Sequence, residues 1–123
     1  MPWAVALACA VLAITWLATT PNPPRQIDTG WDKSNHLLAF AVLALLADRL
    51  VMAWGRGARV RLAAWGLVLA YGGLIELLQS QIPGRSAEWA DLGADAMGVA
   101  VGVVVSGLAT LAARRWRPAR ANR

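Results

Sequence analysis

The chain has one cysteine and one histidine, Cys9 and His36. A lone cysteine excludes an intramolecular disulfide and any thiolate metal centre. Cys9 sits inside an apolar run and reads as a small packed or lipid-facing residue; too few residues precede it, none of them basic, for a lipidation signal. A lone histidine excludes a haem held between two histidines of one chain. Charge is scarce as well: 15% of the 123 residues are charged and 58% are hydrophobic. A soluble domain of this length would alternate polar and apolar positions. Here long apolar runs are separated by short polar ones, the pattern of a membrane protein. Those runs consume most of the chain, so no soluble catalytic domain is expected within it. There is no repeat, no glycine-rich phosphate loop, no helical His-Glu-x-x-His and no Ser-His-Asp signature. A net charge of +5 would suit nucleic acid. The arginines flank apolar runs, however, so the lipid bilayer is the expected partner and nucleic acid is not.

An all-α fold follows, an integral membrane four-helix bundle forming one domain over residues 1–123. The first helix is expected over 2–19. It lacks the basic n-region of a signal peptide, so it is read as a retained span. It stops at Thr20-Pro21-Asn22-Pro23-Pro24, where proline cannot continue a helix. The second helix is expected over 33–54, interrupted by Asp48 and Arg49. Arg49 is near enough to the membrane surface to snorkel. Asp48 is assigned a structural role, facing a partner helix or an arginine of the next loop. That loop, 55–61, carries Arg56, Arg59 and Arg61. The third helix is expected over 62–80. The fourth is expected over 87–113, with Ser86 as N-cap and Glu88 in the first turn, where the helix dipole favours an acid. Residues 114–123 form a basic tail.

Orientation follows from the arginines. One side of the bundle collects Arg49, Arg56, Arg59, Arg61 and the five tail arginines; the other has Arg25, Lys33 and Arg85. The positive-inside rule puts the nine in the cytoplasm. Both termini are then expected to be cytoplasmic in a multi-pass cell-membrane protein, with loops 21–31 and 81–86 outside. Trp16, Trp31 and Trp89 would mark the outer interface, Trp54 and Trp116 the inner one, as an aromatic belt does.

This topology gathers three helix ends on the outer side. The second helix brings Asp32, Lys33 and His36, the third Glu76 and Gln79, the fourth Asp91 and Asp95, and the loop adds Arg85. At ~100° per residue, Asp91, Asp95, Gly98 and Gly102 share one stripe. Small residues at this spacing let helix backbones approach closely, so the face bearing the carboxylates also packs into the bundle. On the third helix Gly72 and Gly73 precede Glu76 by a turn and Gln79 follows it.

Two readings stay open at this point. In one, these groups are interhelical glue at roughly 1 kcal/mol per contact. In the other, they line a ligand-binding pocket. Four carboxylates (Asp32, Glu76, Asp91, Asp95) against the fixed cations Lys33 and Arg85 leave negative charge, to be met by protons, a bound cation or a cationic ligand. Charge inside a membrane marks a functional site by default. His36 and Glu76 are the candidates for proton transfer if chemistry occurs. A divalent ion on His36, Glu76 and Asp91 or Asp95 is chemically sensible, but the spacing is not diagnostic, so no metal and no cofactor is assigned.

The pattern Asp32-Lys33-x-x-His36-x-x-x-Phe40, Tyr71-Gly72-x-x-x-Glu76-x-x-Gln79, Pro83-Gly84-Arg85-Ser86 and Asp91-x-x-x-Asp95-x-x-Gly98 resembles the VanZ-like family of small bacterial membrane proteins. The resemblance covers about residues 31–102. It implies a multi-pass protein of the bacterial inner membrane, and through the member that names the family it points to low-level resistance to the glycopeptide antibiotic teicoplanin. The family position matching Asp95 is often asparagine, so an acid here adds negative charge. The expected function is binding or modifying a cell-envelope component, lipid-linked or anionic, with Lys33 and Arg85 on its phosphate. The rivals are a membrane-embedded hydrolase or transferase, an assembly partner whose polar cluster only packs helices, and an ion or proton carrier. A carrier would be a homo-oligomer, because four short helices leave little room for a pore.

Overall fold

The computed structural model describes residues 1–27, 30 and 32–116. Four helices account for nearly all of it: α1 (Pro2–Thr19), α2 (Asp32–Ala53), α3 (Ala58–Gln79) and α4 (Trp89–Arg115), with a short 3-10 turn at Arg25–Ile27 between the first two. Among the described residues there is no strand, and all four helices are long and apolar enough to cross a membrane.

Local chemistry explains where each helix stops. α1 carries proline in its first turn, where the missing N–H costs nothing, and ends at Thr20 in extended backbone ahead of the prolines. α2 closes with a Schellman motif. Gly55 adopts φ 66°, its N–H donates to the Met52 carbonyl and the Arg56 N–H reaches back to Val51. After α3, Ile82 accepts from the Arg85 N–H at 3.1 Å. Pro83 and Gly84 occupy the turn's centre, and Gly84 supplies the positive φ that its second central position requires.

Two boundaries differ from the sequence expectation. α3 starts at Ala58 rather than at 62, with Gly57 as N-cap, so Arg59 and Arg61 belong to its first turn rather than to a loop. Arginine is a good helix former, and the motif that closes α2 turns the chain within a few residues. α4 starts at Trp89, with Glu88 as N-cap and no side-chain capping bond. Ser86 therefore caps nothing, and Glu88 is free to turn its carboxylate elsewhere. Trp31 and residues 117–123, the bulk of the expected basic tail, lie outside the described residues.

The helices run alternately up and down, and α2 lies at the centre. It touches all three others, most extensively α4, whereas α1 and α4 do not meet. Glycine makes the α2–α4 contact possible. Gly98 lies against the Leu37 carbonyl and Gly102 against that of Ala41, each where a Cβ would overlap backbone. The apolar core forms around this seam from Phe40, Leu43, Ala44, Ala47, Val68 and Val99.

α1 is peripheral and buries no residue completely. One polar tether is Tyr71 of α3, whose hydroxyl lies 2.7 Å from Thr15 Oγ1 and donates to the Val11 carbonyl at 3.3 Å. Tyr71→Phe is therefore expected to cost about 0.5–1.5 kcal/mol. The loss should appear as a lower Tm in mild detergent and as faster proteolysis of the α1–α2 connection. Unchanged cleavage would mean that the tether does not hold α1.

Candidate functional site

The N-terminal end of α2, the C-terminal end of α3 and the N-terminal end of α4 meet at one end of the bundle. His36 is the centre of what they bring together. It occupies the second turn of α2, is buried, and stacks on Phe40 one turn further on. Its Nδ1 lies 2.8 Å from Asp95 Oδ1. Its Nε2 faces Glu76 Oε1 at 3.6 Å and Asp32 Oδ2 at 3.8 Å.

Asp91 and Asp95 are 1% and 0% exposed. Their burial follows from the stripe that continues into Gly98 and Gly102: the glycines seat α4 against α2, and the two acids one and two turns earlier are carried into the same seam. Gly72 of α3 has a matching role. A Cβ there would strike Asp95 Oδ2 and the Phe40 ring, so only glycine lets α3 close over the carboxylate. Gly73 faces open space.

Lys33 is shared. Its ammonium lies 2.9 Å from Glu88 Oε2 and 3.6 Å from Asp91 Oδ1. The Glu88 backbone N–H donates to Glu76 Oε2 at 3.1 Å, joining the start of α4 to the end of α3. Among the described residues the cluster then holds five carboxylates, Asp32, Glu76, Glu88, Asp91 and Asp95, against one lysine and one imidazole.

Of the residues singled out from the sequence, Asp32, Lys33, His36, Glu76, Asp91 and Asp95 converge. Gln79 and Arg85 turn towards α1 instead. Gln79 Nε2 donates to the Ala18 carbonyl at 3.3 Å. Arg85 Nη2 donates to the carbonyls of Leu17 and Thr20 at 3.2 and 3.1 Å. The last carbonyls of a helix have no partner within it and carry partial negative charge, so α1 draws the guanidinium. The expectation that Arg85 neutralises a carboxylate is corrected on that ground. Glu88, read from the sequence as a dipole residue, is the member that was missed. It becomes visible only once α4 is known to start two residues later than expected.

A crevice of about 710 Å³ opens beside the cluster. Ala10, Ile14 and Leu17 of α1 and Leu38, Ala39 and Val42 of α2 contribute to its apolar walls, and Asp32, His36, Gln79 and Arg85 gather at its polar end.

The other end of the bundle has a second polar cluster. Asp48 is sealed from solvent and accepts from Arg61 Nε and Nη2 at 2.7 and 3.0 Å, from Trp65 Nε1 at 3.1 Å and from the Ser106 hydroxyl. This is the arginine partner expected for Asp48, delivered by α3 rather than by a loop. Arg49 donates to Thr110 and to the Ser106 carbonyl on α4. Every Asp48 oxygen is satisfied, which marks this cluster as structural.

Four apolar helices with buried charge at both ends of one seam define a small multi-pass membrane protein. A family model described as VanZ/LLP1 matches residues 4–110, and the chain belongs to that family. A search of the curated proteins finds no match, and a search of the solved structures finds none either.

Proposed function

We propose that this protein binds a lipid-linked component of the cell envelope, with the apolar chain in the crevice between α1 and α2 and the headgroup at the Asp32–His36 end. The supporting observation is the crevice itself: apolar walls along membrane-spanning helices lead to one polar end with Arg85 on the rim. Arg85 spends Nη2 on α1, and no contact among the described residues occupies Nη1 or Nε, which would meet an anionic group. The nine-to-three distribution of basic residues supports an outward-facing site with both termini in the cytoplasm.

A specific contact favours a second reading, a hydrolase or transferase acting on that lipid. Asp95 holds His36 through Nδ1 and leaves Nε2 facing the carboxylates of Glu76 and Asp32, the arrangement of an imidazole poised for proton transfer. Glu76 would be its partner.

The test uses a diazirine-bearing polyisoprenyl phosphate added to purified protein in mild detergent. Labelling is expected on the facing walls of α1 and α2. Ala13→Trp, which fills the crevice from an exposed position on α1, should suppress it at unchanged Tm. Label spread evenly over the outer helix faces, or indifferent to Ala13→Trp, would exclude the reading. The cells that supply the protein also report orientation. In a Cys9→Ser background, Gln26→Cys and Ser86→Cys should react with an impermeant thiol reagent, and Gly57→Cys should not. The inverse pattern would move the ligand to the inner leaflet. Teicoplanin susceptibility of the same cells, with and without Glu76→Gln, tests the phenotype that the family resemblance implies.

A further inference from the structure

We propose that His36 Nε2, Asp32 and Asp91 hold a divalent first-row metal ion such as Zn²⁺ or Mn²⁺ where the ends of α2 and α4 meet, with Glu76 beside Nε2 and Asp95 as the positioning residue behind the imidazole.

Charge comes first. Lys33 is engaged with Glu88 and reaches Asp91 only at 3.6 Å. Even a protonated His36 would leave the five carboxylates in excess. Uncompensated carboxylates at the end of a membrane bundle are costly.

The second observation is independent of charge. Glu76 Oε1, Asp91 Oδ1 and Asp95 Oδ2 are buried and accept no hydrogen bond among the described residues. Asp95 Oδ2 is pressed against Gly72, whereas Asp91 Oδ1 lies 3.6 Å from the Lys33 ammonium and Glu76 Oε1 3.6 Å from His36 Nε2. Buried oxygens of this kind are rare in native structures and call for a partner.

Geometry supplies the third argument. At 3.6 and 3.8 Å, the Nε2 contacts with Glu76 and Asp32 are too long for hydrogen bonds. They are close to an edge of a coordination polyhedron, because two ligands each about 2.1 Å from one ion stand roughly 3–3.5 Å apart. The donor atoms of Asp32, His36 and Asp91 lie within 4.8 Å of one another, as do those of His36, Glu76 and Asp95. His36 is common to both sets. Its 2.8 Å contact to Asp95 is the arrangement in which a carboxylate fixes the tautomer of a metal-bound imidazole. One imidazole with several carboxylates suits a borderline divalent ion.

The ion would give an anionic headgroup a positive contact in an otherwise acidic site. To that extent the inference rests on the lipid reading, whereas metal binding itself does not. The test is metal content and thermal shift of detergent-purified protein carrying a tag without histidine. One equivalent of Zn²⁺ or Mn²⁺ per chain is expected after dialysis, with a Tm that rises on adding the ion and falls again with EDTA. His36→Gln and Asp91→Asn should abolish both. Asp95→Asn should weaken affinity roughly 10–100-fold, and Cys9→Ser should change nothing. Wild-type protein with well under one equivalent and no thermal shift would overturn the proposal, whatever the variants do. So would a His36→Gln protein that folds and keeps its metal. Stoichiometric metal without crosslinking to the polyisoprenyl phosphate would support the site and exclude the lipid reading; crosslinking without metal would do the reverse.

Discussion

Arg61→Leu is expected to destabilise the bundle by about 3–5 kcal/mol, Asp48→Leu by clearly less, and the double variant by less than Arg61→Leu alone. The asymmetry comes from burial. Asp48 is completely enclosed between α2, α3 and α4, so removing the guanidinium strands a carboxylate that no water can reach. The Arg61 side chain keeps 28% of its surface exposed and packs over the Trp65 ring at 5.5 Å. Without Asp48 it can swing its charge to the membrane surface while its stem stays on the indole. With both replaced by leucine, only the Trp65 N–H and the Ser106 hydroxyl lose a partner. Reversible unfolding in mixed detergent micelles, analysed as a double-mutant cycle, measures the coupling. Equal single effects that add in the double variant would show that the pair contributes no stability of its own.

That pair also shows how far the sequence could be read. Asp48 interrupts an apolar run, and charge there needs a partner, so an arginine of the neighbouring segment was expected. Which arginine depended on where α3 begins. A turn-forming Gly-Arg-Gly stretch hides that point, because helix ends are set by caps and tertiary contacts more than by composition. The polar end behaves the same way. Apolar run lengths and basic flanks establish four alternating spans, which brings three helix ends together, and helical phase puts Asp91, Asp95, Gly98 and Gly102 on one face. Those relations are periodic and can be read from one chain. Gln79 and Arg85 could not be assigned by this route. Their partners are the carbonyls of Leu17, Ala18 and Thr20, backbone groups that exist as acceptors only because α1 ends there, and nothing in the side chains of α1 signals them. Periodicity fixes the face a residue occupies and leaves open which neighbour covers that face.

The glycine stripe of α4 carries the second large effect. Gly102→Ala is expected to cost about 1–3 kcal/mol or more, whereas Gly107→Ala, five residues on, should be neutral or slightly stabilising. A Cβ at Gly107 meets nothing within 4 Å; one at Gly102 meets the Ala41 carbonyl, the Ala44 methyl and the Leu45 N–H together. Two of those three are backbone, which cannot rotate aside, so α4 must lift off α2. Gly98→Ala presses in the same way on the Leu37 carbonyl and on Phe40. It does so one turn from Asp95, whose 2.8 Å contact with His36 spans the same seam. The two variants should therefore differ in kind. Gly102→Ala should lower Tm and leave metal affinity near that of the wild type. Gly98→Ala should lower both, because lifting α4 at that level pulls Asp95 away from the imidazole. Tm and metal titration on the same preparations read the two effects separately. A Gly98→Ala protein with reduced Tm and undiminished metal binding would show that the seam sets stability alone, and that Asp95 is not needed to hold His36 in place.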